Sequence, residues 1–255
     1  MHLLNLCALF LLPALSPGPP LFPLPTALVT AAVAPQEAPP DRFSAKVELS
    51  YASTTGNSST QTIGTAGGFV FRPGVWSITT ENAFLRTETD DRVRAESISS
   101  EARIARKVGT RMDAYTQASY TRNTFAGLLR QTAVELGLAT QLLSSAPHRL
   151  RAEAAFGYID EHRVAIDDQV VSTGTVGLRY RWTLSKNAEW AQDAVITANL
   201  TDGGDWRLKH SASIAAGLNA VFSLKFSHVL TYLHQPVPGF RQTDTIGSAA
   251  LVARF

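Results

Sequence analysis

Gly247-Ser248-Ala249-Ala250-Leu251-Val252-Ala253-Arg254-Phe255 decides the fold of this chain. Gly247, Ala249, Leu251, Ala253 and Phe255 share one parity, and Ser248, Ala250, Val252 and Arg254 share the other. Successive side chains of an extended strand point to opposite faces, so the first set makes one non-polar face that ends on an aromatic ring. Neither a helix cap nor a charged tail follows that ring. A soluble sheet that buries its last Phe would read the same way over so short a stretch. The rest of the chain carries the decision.

Working outward, the period of two recurs. Phe43, Ala45, Val47, Leu49 and Tyr51 alternate with Ser44, Lys46, Glu48 and Ser50. The turn residues Gly56-Asn57-Ser58 follow. Ile63, Thr65, Gly67, Phe69 and Phe71 then continue the apolar face down to the turn Arg72-Pro73-Gly74. Leu150, Ala152, Ala154, Phe156 and Tyr158 oppose Arg151, Glu153 and Gly157. Val176, Leu178, Tyr180 and Trp182 oppose Arg179 and Arg181. Trp206, Leu208, Ala212, Ile214 and Leu218 oppose Arg207, Lys209, Ser211 and Ser213.

Segments of this kind centre near Leu49, Gly67, Thr80, Ser99, Thr116, Leu136, Ala154, Val176, Val195, Ala212, Phe226 and Ala249. That is about twelve strands, an even number as a single-chain barrel in a bacterial outer membrane requires. Two are weaker. The strand at Thr80 points Asn82 outward, and the one at Ser99 competes with a helix from Glu101 to Val108. Losing both would leave ten.

Composition agrees. The chain has 255 residues, net charge +2 and 45% hydrophobic residues, enough for one sizeable domain. Beyond the N-terminal segment no stretch reaches the ~18 consecutive apolar residues of a membrane helix. Moderate, spread-out hydrophobicity suits strands with one face to lipid and one to a polar interior. Near-neutral charge gives no reason to expect nucleic acid as a partner. Short connections at Arg72-Pro73-Gly74, Lys107-Val108-Gly109, Ser144-Ser145-Ala146-Pro147, Ser185-Lys186-Asn187 and Asn219 alternate with others. Among those others, 160–169 and 234–242 read as longer loops. Trp76, Trp182, Trp190 and Phe222 flank the short turns, which predicts an aromatic belt at one interface. A soluble all-β sandwich is the competing architecture.

Residues 1–34 read as an export signal, with an apolar core from Leu3 to Leu15, prolines from Pro17 to Pro25, and small residues Ala31-Ala32-Val33-Ala34 for cleavage. The head has only His2 and no Lys or Arg, and a membrane anchor is the alternative. Cys7, the one cysteine, lies inside this segment, so no disulfide or thiol chemistry is expected of the mature chain. Residues 35–42 are proline-rich and read as a short periplasmic tail, leaving 43–255 as the barrel.

With the strands laid out, the chain resembles the salt-induced outer-membrane protein family, a domain family of unknown function in Gram-negative bacteria. The resemblance rests on Gly56-Asn57-Ser58, Gly157-Tyr158-Ile159-Asp160, Gly177-Leu178-Arg179-Tyr180 and Gln192-Asp193. Asp202, Asp205-Trp206-Arg207-Leu208, Leu224-Lys225, Pro236, Pro238-Gly239, Thr243-Asp244-Thr245 and Phe255 complete it. It spans Phe43 to Phe255 and is densest in the last third. The main departure is Ala253, where an aromatic often stands two residues before the final Phe. The resemblance implies an outer-membrane β-barrel with a link to salt or osmotic conditions, and implies no catalytic residues.

The polar parity collects a mixed ladder of Lys46, Glu48, Glu101, Arg103, Glu135, Arg151, Glu153, Arg179, Arg181, Lys209 and Lys225. These charges either pair across strands and plug the lumen, in the absence of a long plugging segment, or line a narrow channel. Arg179, Arg181, Lys209 and Lys225 tilt such a channel toward anions. Phe255 is expected on the outward face, closing the barrel. The expected partners are outer-membrane lipid and the barrel-assembly machinery, with a small solute or ion as a further candidate. No cofactor and no metal are expected.

A barrel enzyme is the competing function. A lipase needs a Ser and a His adjacent on the lipid side. His228 is the one candidate, and a hairpin centred on Ala220 sets it opposite Ala212 with Ser211 and Ser213 facing inward. His210 and Ser211 are neighbours in sequence only. Asp160, Glu161, His162, Asp167 and Asp168 cluster in one expected outer loop, read as solvated, with a protease rim site or a divalent-cation site as alternatives. No catalytic residue is assigned.

Overall fold

The computed structural model describes residues 42–54, 60–89 and 92–255. The expected signal, nearly all of the tail, Cys7 and the Gly56-Asn57-Ser58 turn lie outside the described residues. Twelve strands follow one another: β1 (Phe43–Thr54), β2 (Thr60–Phe71), β3 (Trp76–Thr89), β4 (Arg92–Lys107), β5 (Met112–Asn123) and β6 (Leu128–Ser144). The second half comprises β7 (His148–Arg163), β8 (Ile166–Ser185), β9 (Ala188–Asn199), β10 (Trp206–Gly217), β11 (Phe222–Leu233) and β12 (Thr243–Arg254). One 3-10 turn, Thr124–Ala126, joins β5 to β6. Each expected centre falls in its own strand. The region 101–107 is part of β4, not a helix.

Every strand pairs antiparallel with its sequence neighbours, and β1 pairs with β12, so the sheet closes into a barrel. The closing register runs from Lys46 opposite Arg254 to Leu49 opposite Leu251. Ala45 and Phe255 exchange backbone hydrogen bonds of 2.8 and 2.9 Å below it. Along the β1–β2 hairpin, by contrast, pairing runs the full length from Phe43–Phe71 to Thr54–Thr60.

The two faces of the wall are inverted relative to a soluble sheet. Val47, Leu49, Tyr51, Leu136, Tyr158, Val176, Leu178 and Phe226 are exposed on the outside. Glu48, Glu161, Lys225, Ser211 and Ser213 are buried on the inside. A β-sandwich buries its apolar parity. A contiguous exposed apolar band of this extent marks a surface made for something other than water. Asn82 does face outward, as its parity requires, and accepts a hydrogen bond of 2.7 Å from Ser100 directly across the β3–β4 ladder.

One end of the barrel carries the short turns and the expected aromatic belt. Gly74 takes a positive φ of 67° in the Arg72-Pro73-Gly74 turn. Trp76 and Phe222 open β3 and β11, Trp182 stands opposite Trp190, and Phe43 stands opposite Phe71. At the other end Trp206 packs on Tyr232 with centroids 5.0 Å apart, the start of a second belt. One expectation fails there. Residues 160–169 are not a long loop, because β7 and β8 continue through them and turn only at Val164-Ala165, with Ala165 at φ 58°. The acidic composition resembled a loop, but the side chains still alternate.

Candidate functional site

The site is the lumen. All eleven expected lumen residues lie on the inward parity of their strands, and most are brought into three ion-pair groups near the short-turn end. Glu153 on β7 collects three arginines. Arg103 approaches it with two nitrogens at 3.0 and 2.9 Å, Arg151 at 3.2 Å and Arg179 at 3.3 Å. Arg151 also meets Asp113 at 2.7 Å. Arg103 comes from β4, so its side chain passes over β5 and β6 to reach β7. It lies over the Tyr115 ring, 4.0 Å from the centroid, and donates to Gln117 at 2.7 Å. A Cβ on Gly137 of β6 would stand 2.5 Å from Cζ of Tyr115, so the ring lies where only glycine leaves room for it.

The second group centres on Glu48. Lys225 of β11 donates to both its oxygens, at 3.1 and 2.9 Å, with both side chains buried. This pair spans β12, whose inward Ala250 and Val252 are apolar and leave space above them. Lys46 stands 4.0 Å from Glu48 and 3.8 Å from Glu81. In the third group Arg181 meets Asp193 through two contacts, at 2.7 and 3.1 Å. Arg179, Arg181 and Lys225 are therefore each matched by a carboxylate. The anion-favouring stripe expected from their order in sequence is not a free basic surface.

Above this floor lies a cavity of about 360 Å³, lined by Glu101, Glu135, Lys209 and hydroxyls such as Ser119, Thr175 and Thr231. Glu135 accepts from Thr175 at 2.7 Å. Glu101 and Lys209 make no direct hydrogen bond or ion pair among the described residues.

Two different devices reach into the far end. On one side Glu161, fully buried, receives Arg163, Arg207 and, at 2.7 Å, Gln131. Arg207 comes from β10, across β8 and β9. On the other side the Thr124–Ala126 turn folds inward. Asn123 caps it by accepting from the Phe125 N–H at 3.2 Å, and Gly127 ends it in the left-handed conformation at φ 68°. Thr124 ties it to the Glu96 backbone at 2.9 and 3.1 Å. Phe125 is thereby buried against Ala66, Ala83, Leu85 and Ile246. The 234–242 loop adds buried Val237 and half-buried Phe240, whose ring would stand 2.8 Å from a Cβ on Gly127. The charges were expected either to plug the lumen or to line a narrow channel, and two short segments enter it beside them.

Sequence reasoning did not include Glu81, Asp113, Arg163, Asp193 or Arg207 in the ladder, although all lie on the inward parity, and it placed Glu161 in solvent. Strand parity, carried through every strand, would have found them. The candidate catalytic groups do not converge. His228 faces outward opposite Ala212 and Gly247, while Ser211, Ser213, Ser227 and Ser248 face inward. His210, also outward, bonds Gln192 at 2.9 Å. The acids of 160–169 divide between the faces: Glu161 points inward, whereas Asp160, His162 and Asp168 share the outside, with His162 2.5 Å from Asp168.

The profile of a family described as proteins of unknown function, DUF481, matches residues 47–255. No protein with a curated description matches the chain. Among solved structures, the translocator domain of the autotransporter NalP from Neisseria meningitidis is similar at 13% identity, over 84% of this chain and 87% of that one, with a TM-score of 0.44. The NanC porin is similar at 6% identity, over 82% and 97%, with a TM-score of 0.47. The KdgM porin is similar at 7% identity, over 83% and 98%, with a TM-score of 0.41.

Proposed function

The chain belongs to the DUF481 family, and from that premise and its closed barrel we propose that it is an outer-membrane protein of Gram-negative bacteria whose lumen is plugged or conducts only through a narrow path. One observation carries the reading: the exposed wall is apolar while buried charges pair across the lumen, Lys225 with Glu48 and Arg103 with Glu153. In water this arrangement would expose the wrong face. In a bilayer the wall is solvated by lipid and every strand can be paired in the closed sheet.

The role is structural or narrowly conductive, linked to salt or osmotic conditions, and not enzymatic. The ion-pair filling supports the first part, since a lumen crossed by buried pairs has no wide aqueous path. The separation of His228 from every inward serine supports the last. Outer-membrane lipid and the assembly machinery that inserts barrels are its partners, with a small ion as the one solute the cavity suits. An export signal over residues 1–34 would deliver it.

Two measurements test the reading. The protein should fractionate with the outer membrane and migrate faster on gels when unheated. Recovery in the soluble periplasm with heat-independent mobility would overturn it. In planar bilayers it should give no conductance or small steps, and large stable channels would overturn the plugged lumen. His228→Ala should assemble normally. Phospholipid hydrolysis by the wild type, lost in that variant, would establish an enzyme instead.

A further inference from the structure

The outside of the barrel is not uniform around its circumference. On β9–β12, β1 and β2, no outward strand position among the described residues holds Asp, Glu, Lys or Arg. On β3–β6 the outward parity ends, at the long-loop side, in Arg86, Arg94, Arg122 and Arg130. Arg86 is ten residues along β3 from Trp76. At about 3.4 Å per residue and a tilt near 40°, it stands about 25 Å above that belt, where the hydrocarbon ends. Below the arginines, and below Glu96 and Thr132, the outward residues are Phe84, Ile98, Tyr120 and Val134. The four guanidiniums form a girdle at the outer interface of one wall only.

Their partners leave donors free. Arg86 meets Glu88 at 2.5 Å, Arg122 meets Glu96 at 3.1 Å, and Arg130 meets Asp160 at 3.1 Å and also His162. The three side chains remain 43–47% exposed. Arg94, the extra residue at the bulge between β3 and β4, has no partner among the described residues. Nε of Arg122 is turned away from solvent and unbonded. A guanidinium has five N–H donors in a planar fork, and one carboxylate contact leaves the rest available to a phosphate. Three of the four arginines are matched one to one by Glu88, Glu96 and Asp160, which leaves Arg94 in excess among the described residues.

Resting on the membrane reading above, we infer that this girdle is a docking surface for a phosphate-bearing anionic lipid headgroup of the surrounding leaflet. Guanidinium forks would take the phosphate while acyl chains lie along Phe84, Ile98, Tyr120 and Val134. The uncharged wall of β9–β12, β1 and β2 has no equivalent.

The test uses the full chain refolded in neutral detergent, with retained lipid measured by native mass spectrometry. The probes are diphosphorylated lipid A and its fully dephosphorylated counterpart. The wild type should hold the phosphorylated form at least tenfold more tightly. The Arg86→Gln, Arg94→Gln, Arg122→Gln, Arg130→Gln variant should lose that preference and keep its heat-modifiable mobility. Arg106→Gln, outward at the opposite end over Trp76, should keep the preference. If the fourfold variant does not fold, Arg94→Gln alone, which breaks no ion pair among the described residues, should lower the preference two- to threefold. Equal retention of both probes by the wild type, or an unchanged preference in the folded arginine variants, would overturn the inference. A wild type that never becomes heat-modifiable or inserts into any bilayer would instead overturn the membrane reading on which it rests.

Discussion

Two kinds of contact enter the lumen, ion pairs near the short turns and, at the far mouth, an apolar cluster beside the Glu161 pairs, and the two fail in different ways. At the floor, Glu153 faces three arginines and Glu48 is held by Lys225. Each partner is stabilised only while the other is present, because a buried charge left alone has lost water and gained nothing. At the mouth, Phe125 rests on Ala66, Ala83, Leu85 and Ile246. That contact has no directional requirement and loses strength in proportion to the area removed. A charged floor therefore fixes geometry, and an apolar roof tolerates adjustment.

The largest effect should come from Glu153→Ala, which takes the carboxylate contact from Arg103 and Arg179 while Arg151 keeps Asp113. Removing one partner of a buried pair costs roughly 3–5 kcal/mol, so urea unfolding in detergent should shift by about that amount. Unchanged stability would mean that the floor is wet enough to hydrate its arginines. Phe125→Ala at the roof should cost about 3 kcal/mol and raise single-channel conductance or antibiotic entry. A gain in conductance from Glu153→Ala but none from Phe125→Ala would make the floor the sole barrier.

The wall outside the floor gives the third contrast. Leu178→Arg puts a charge on the lipid face and should cost about 2–4 kcal/mol, with slower assembly. Arg179→Leu, one residue along but facing the lumen, should assemble better, and the reverse order would contradict the register of β8. The smallest effect is expected where both halves of a pair are removed. Glu48→Leu with Lys225→Met should stay within about 1 kcal/mol of the wild type, although Lys225→Met alone destabilises. If the double variant is as unstable as the single, the pair does more than occupy space.

Strand number, facing and closure were legible because they depend on a period of two that each segment repeats: Val176, Leu178 and Tyr180 could not face lipid unless Arg179 and Arg181 faced inward. Pairing across the lumen was not legible. Arg103 finds Glu153 and Arg207 finds Glu161 over intervening strands, and that depends on strand tilt and stagger, which no local pattern encodes. The roof was hidden for another reason. Thr124–Ala126 is too short to show any period, and its Phe125 looks like one more strand residue. The acids at 160–169 were read by composition where alternation was the better guide, since Glu161 and Arg163 already shared a parity opposite to Asp160 and His162.

The β1–β12 junction has a kinetic consequence. Every other ladder joins neighbours in sequence, whereas Leu49 and Leu251 are roughly 200 residues apart, so the entropy of loop closure falls almost entirely on this one contact. Hairpins can zip as soon as their turns form, and the junction must come last. It is also short: pairing stops at Leu49 and Leu251, while β12 continues to Thr243 against β11. Amide hydrogens of Tyr51, Gly247 and Ala249, which by their parity point to that edge, should exchange with deuterium earlier than those of the β7–β8 hairpin. The circle of strands has a place where it begins to open.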